Sequence, residues 1–255
     1  MRRPCFPFNS ILNTLLIVSI FLLAGCASLD KKKNPSPGEL IAQGRQQVKI
    51  NSYGSAKKLF QQVLEDYPDS KERVQALIFL ANTNYLDREF EEAKFHYQKF
   101  IELYPANRFV DRAYYYKAMS DFKTREIATR DQTNTIAALE GFEDTIKRFP
   151  KSSYYPKAVK KRQECLNILA TSEFEIGKFY YRTGAYQSAI SRLKNMRETY
   201  PDQSFADEAI FIIAESYFEE ENYSEAKRNY LELLKNYPKS EFLIEARLRL
   251  IALRK

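Results

Sequence analysis

Histidine is nearly absent from this chain of 255 residues: His96 is the only one. A histidine-rich metal site or a Ser-His-Asp triad would have to be built around that single imidazole. Seven glycines leave little material for a phosphate-cradling loop, and no Gly-rich motif of that kind occurs. Cysteine is scarce as well, with three in the chain, Cys5, Cys26 and Cys165. Once an N-terminal leader is removed and Cys26 is modified, as argued below, Cys165 stands alone and no structural disulfide is possible. Cys165 then reads as a small buried residue. The formal charge is +7, or +5 without Arg2 and Arg3, with acidic residues interleaved throughout. That is not the dense basic stripe of a nucleic-acid binder, so no nucleic-acid partner is expected. The carboxylates at Glu91-Glu92 and Glu219 to Glu221 read as solvated helix ends, and His96 as a surface residue beside Tyr97. No enzyme activity and no cofactor are expected.

What is present is a repeated frame. Pro68, Pro105, Pro150, Pro201 and Pro238 each follow an aromatic residue. Twelve positions earlier stand Ala56, Ala93, Ala138, Ala189 and Ala226; eight positions later stand Ala76, Ala113, Ala158, Ala209 and Ala246. A large side chain lies four residues after each first alanine: Phe60, Tyr97, Phe142, Leu193 and Tyr230. That spacing puts alanine and large residue on one helix face. Proline then ends the helix. Ser70, Asn107, Ser152 and Ser240 follow two residues later, where an N-cap for the next helix is expected. Each unit is therefore a helix, a turn, a second helix and a proline hook.

The frame matches the tetratricopeptide repeat pattern, with Gly44, Ala81, Ala118, Gly177 and Ala214 at its small position near the end of the first helix. The hooks lie 37, 45, 51 and 37 residues apart. Against 37, the third repeat carries eight extra residues, expected in a turn around Arg125 to Asn134. The fourth carries fourteen, about four helical turns. They are expected to lengthen its first helix, which should run unbroken from about Pro156 to Arg182, with Lys157, Lys160 and Lys161 on one solvated face. The expected fold is all-α: a tetratricopeptide solenoid of five helix pairs over residues 38–255, with a C-terminal capping helix.

At the N-terminus, Arg2 and Arg3 precede an apolar stretch, Ile11 to Ala24, that is short for a bilayer span. The junction Leu23-Ala24-Gly25-Cys26 resembles the lipobox of bacterial lipoproteins. The resemblance implies a signal peptide over 1–25, cleavage before Cys26, and acyl chains on Cys26 that bind outer-membrane lipid. Two or more chains make a stable anchor. Ala27 in place of aspartate implies transfer to the outer membrane, on its periplasmic face. Residues 26–37, with Lys31 to Lys33, Pro35 and Pro37, read as a polar tether.

Asp111-Arg112-Ala113-Tyr114-Tyr115-Tyr116-Lys117-Ala118, Arg130-Asp131-Gln132, Phe149-Pro150-Lys151-Ser152-Ser153-Tyr154 and Gly184-Ala185-Tyr186 together resemble the BamD family. BamD proteins are lipoproteins of the outer-membrane β-barrel assembly machinery with five such repeats. The loop near Arg125 to Asn134 is shorter here than in well-known members. The resemblance implies that the C-terminal repeats dock a POTRA domain of BamA. It also implies that the N-terminal repeats meet unfolded barrel proteins and other lipoproteins of the complex. Arg192, three residues after Ala189, falls at the family's arginine for the BamA contact; alone, it reads equally as a solvated helix residue. Two alternatives are an adaptor lipoprotein of cell-wall synthesis or pilus biogenesis, and an enzyme acting on peptidoglycan. The second would need a carboxylate pair in a cleft, and none is marked. Groove-facing positions around the small residues include Arg45, Asn82, Tyr85, Arg112, Tyr115 and Phe122. Their rings suit aromatic side chains of a barrel protein's last strand, and Arg45 or Arg112 its terminal carboxylate. Tyr115 and Phe122 read equally as packing between helices.

Overall fold

The computed structural model describes residues 34–253, and the unit beginning at Pro37 is compact. Cys26 and the expected leader lie outside the described residues. Eleven α-helices follow one another among those described. They are α1 (Pro37–Lys49), α2 (Tyr53–Asp66), α3 (Arg73–Leu86), α4 (Phe90–Leu103), α5 (Val110–Thr124), α6 (Thr133–Arg148), α7 (Tyr155–Arg182), α8 (Tyr186–Thr199), α9 (Ala206–Glu219), α10 (Tyr223–Asn236) and α11 (Leu243–Ala252). Each packs on its chain neighbours, and α1 touches α3, α3 touches α5 and α7 touches α9. This is the stacking of a helix-pair solenoid: five pairs, closed by α11.

The frame residues explain why. All ten frame alanines and all five large residues are fully buried. The small positions face those large residues. A Cβ on Gly44 would stand 2.5 Å from Cε1 of Phe60, and one on Gly177 would collide with Leu193. So the small residue lets the two helices of a repeat approach, and the large one fills the space. The aromatic before each proline ends its helix with φ between −134° and −128° and ψ between 53° and 69°, outside the helical region that a following proline disfavours.

The serines and asparagine after the prolines are not the expected N-caps. The α-helices begin three residues further on, and Glu72, Phe109, Tyr154 and Phe242 stand at their N-caps without a side-chain cap. Instead, Asn107 Oδ1, Ser152 Oγ and Ser240 Oγ accept from the backbone N–H two residues later. They fold a tight turn that leads into the helix, as short polar side chains do.

Turns within repeats share a device that composition hides. Asn51, Arg88, Gly184 and Glu221 all have φ between 57° and 77°. In each, the next residue's N–H reaches the carbonyl five positions back at 2.9 Å, closing a Schellman motif. Only one of the four is glycine, although a side chain there is strained. Glu221→Gly is expected to raise stability by up to about 1 kcal/mol, read from chemical denaturation. The third repeat lacks this turn: residues 125–132 connect its helices where the other repeats use three, so five of its eight extra residues lie in the loop where the spacing places the insertion, and the rest lengthen α5 and α6. There Gln132 Nε2 donates to the carbonyls of Ile127 and Arg130, and Asp131 accepts from the Thr133 hydroxyl at 2.9 Å. Arg130-Asp131-Gln132 is thus the staple of this loop.

α7 is a single helix of 28 residues, about 42 Å long. Pro156 sits in its first turn, where its missing N–H costs nothing. Lys157 and Lys160 are exposed, while Lys161 pairs with Glu164. None of the helices among the described residues is long and apolar enough to cross a membrane.

Candidate functional site

Two surface clefts hold the polar residues of interest. The first lies in the N-terminal repeats and has a volume of about 270 Å³. Its rim carries Arg45, Lys49 and Arg112, and its floor is apolar, with Val48, Phe79 and Leu86. Asn82 organises the inner wall. Its Oδ1 accepts from the hydroxyl of Tyr97 at 2.8 Å and from Nε of Arg112 at 3.0 Å. Tyr97 is fully buried, and burial pushes its hydroxyl well above the usual value. The Asn82 acceptor therefore receives a neutral donor and a cation, and Arg112 is held at the cleft edge through its Nε. Arg112 also lies over the Tyr116 ring at 5.2 Å, as Arg45 does over Phe79 at 5.8 Å.

The predicted groove residues divide. Arg45, Asn82 and Arg112 converge on this one cleft. Tyr85 stands nearby, half-buried and edge-on to Phe90 and Tyr116; burial raises its hydroxyl to about 12. Tyr115 and Phe122 belong instead to the core, 7% and 4% exposed, against Phe142 and Tyr154. For those two the packing alternative holds. The reason is helical phase: both stand on the side of α5 that meets α6. Phe79 and Leu86, seven residues apart on α3, were not anticipated as the floor. The legible signal was an apolar pair two turns apart ending in an exposed leucine.

The second cleft, about 420 Å³, lies where α7 meets α8 and is lined by Tyr180, Gln187, Ser188, Ser191, Arg192 and Asn195. Arg192 is its one charged lining residue. Nη1 of Arg192 donates to Oε2 of Glu173 on α7 at 2.6 Å, and that bond raises the arginine's pKa.

Other titratable groups are structural. Cys165 is buried, which pushes its thiol up to about 12 and leaves it unreactive at neutral pH. Lys94 pairs with buried Asp121 between α4 and α5. The carboxylates at 91, 92 and 219 to 221 are exposed. His96 is not the surface residue expected: it is half-buried, and its Nδ1 lacks a hydrogen-bond partner. Burial, then the charge of Lys99, lower its pKa, against an opposing pull from Glu92. Its neutral form suits the fold, so its contribution is complete above the unfolded value of about 6.5. It is lost as pH falls through the lowered folded value. His96→Gln is expected to reduce the loss of stability between pH 7 and pH 5, and NMR titration of the single imidazole should read below 6.5.

A family model described as outer membrane lipoprotein, YfiO, matches residues 33–221, and a tetratricopeptide repeat model matches residues 208–240. The outer membrane protein assembly factor BamD of Caulobacter vibrioides is 30% identical over 229 residues, covering 88% of this chain and 75% of that protein. The BamD of Rickettsia prowazekii is 30% identical over 236 residues, covering 92% and 94%. Among solved structures, the TPR2AB domain of yeast Sti1 in its pHSP90 complex aligns with a TM-score of 0.48 and 13% identity, over 86% of this chain and 83% of that one. With the family model spanning nine of the eleven helices and both clefts, the chain belongs to the YfiO outer membrane lipoprotein family, that of the BamD assembly factors.

Proposed function

We propose that this protein is an outer-membrane protein assembly factor that works as a scaffold rather than as an enzyme. It associates with the outer membrane, anchored through acyl chains on Cys26 after removal of residues 1–25. Its C-terminal repeats dock the POTRA region of BamA through Arg192, and its N-terminal cleft receives the ends of unfolded barrel proteins. What supports the reading is that the matched span, residues 33–221, contains both clefts. Each offers arginine to a carboxylate, which a planar fork binds bidentately. The unbroken α7 joins repeat three to the Arg192 cleft, so the two surfaces keep a fixed relation.

The test is recovery of a POTRA-containing barrel subunit with the mature protein in mild detergent. Wild type should retain it, and Arg192→Glu should lose most of it while keeping its helical circular dichroism. Like charges set against each other across an interface cost several kcal/mol. Equal recovery by the folded variant would refute the Arg192 contact.

A further inference from the structure

Arg192 does not stand as a free cation. One of its five N–H donors is taken by Glu173 at 2.6 Å, and Tyr180 lines the same cleft. The two charged side chains are 37% and 29% exposed, so the pair sits at the surface and not in the core. Every other residue lining the cleft is uncharged. The cleft therefore presents a nearly neutral ion pair where its lining alone suggests a cation.

We propose that Glu173 is a built-in competitor: an internal carboxylate that occupies one edge of the Arg192 guanidinium and lowers its pull on an acidic group of a partner domain. The inference rests on the reading that Arg192 meets such a partner. One carboxylate leaves much of the planar fork unused, so a second can still dock on the free edge. The incoming group meets a dipole instead of a unit charge. Long-range attraction, which sets the association rate and its salt dependence, is weakened accordingly. Once docked, two carboxylates share one guanidinium and repel each other, which favours release. Glu173 thus holds the contact at an affinity below what Arg192 alone would give, and the docking stays reversible.

The experiment titrates the POTRA fragment of the cognate barrel subunit against four proteins: wild type, Glu173→Gln, Arg192→Ala and the double variant, at low and physiological salt. Glutamine keeps the size and an acceptor oxygen but removes the charge. Glu173→Gln should bind several-fold tighter than wild type, with faster association and a steeper loss with salt. Arg192→Ala should bind most weakly, since it also leaves the Glu173 carboxylate unpaired against the incoming acid, and the double variant should recover part of that loss without reaching wild type. Weaker or unchanged binding by Glu173→Gln, with Arg192→Ala still impaired, overturns the competitor and leaves the Arg192 contact standing. Wild-type binding by Arg192→Ala overturns the contact itself. Should the glutamine variant fail to fold, Glu173→Asp retracts the carboxylate by one methylene. It should still tighten binding; weaker or unchanged binding by Glu173→Asp has the same overturning force.

Discussion

Arg249→Ala is expected to cost about 3 kcal/mol, lowering the melting temperature by roughly 6–12 °C. The cause is Glu215, a carboxylate only 3% exposed in the middle of α9. Arg249, on α11, grips it with two hydrogen bonds of 3.0 and 2.7 Å, and the Tyr230 hydroxyl on α10 donates to the same carboxylate. Burial, then the bond to Glu215, raises the tyrosine's pKa, so the hydroxyl stays a donor at any physiological pH. Three helices are thereby tied at one point. Truncating the arginine leaves a buried charge with a single neutral partner, the costly half of a broken ion pair. Glu215→Leu combined with Arg249→Met removes both charges and should cost less than Arg249→Ala, about 1–2 kcal/mol for the Tyr230 hydroxyl left without its acceptor. A double variant as unstable as Arg249→Ala would show that packing of α11, not the buried charge, dominates. Thermal and urea denaturation of wild type and the two variants decides.

The solenoid was legible because its determinants are local. Alanine, a large side chain four residues on and proline twelve residues on act within one helix and its end, and each fell where the frame placed it. The place of the third loop and the length of α7 followed from counting between prolines. Even the end of the array can be read: Ile251 stands 37 residues after Ala214, where the small residue belongs, and it is 57% exposed. No second helix faces it among the described residues. The ion pairs were not legible. Glu173 with Arg192, and Glu215 with Arg249, join different helices across 19 and 34 residues, and no spacing rule links them. Glu215 did leave a trace, as one acid following the apolar run Ile210 to Ala214. The N-caps after the hooks were misplaced by two residues because turn-forming and helix-capping side chains are the same types.

Phe122 and Tyr85 separate core from groove. Phe122→Ala is expected to cost about 3–4 kcal/mol. Its ring is 4% exposed, packs 6.1 Å from Phe142, and carries Arg125 and Lys161 over its faces at 3.9 and 4.5 Å. Losing it leaves a cavity between α5 and α6 and strips two cations of their aromatic partner. Tyr85→Ala should cost only about 1–2 kcal/mol, since its ring is half-buried and its edge contacts are with Phe90 and Tyr116. Binding should sort the other way. A peptide carrying the aromatic last strand and free carboxylate of a barrel protein would set its rings against the wall beside Tyr85 and its terminus on Arg112. The Tyr85→Ala, Arg112→Ala variant should lose roughly tenfold or more in affinity, the size expected for one charge-assisted bidentate contact and one aromatic contact. Phe122→Ala, measured at a temperature where it is folded, should bind as wild type does. A Phe122→Ala protein as stable as wild type would remove that ring from the core. Wild-type affinity in the folded double variant would remove the cleft between Arg45 and Arg112 from barrel recognition, leaving the N-terminal repeats to some other partner.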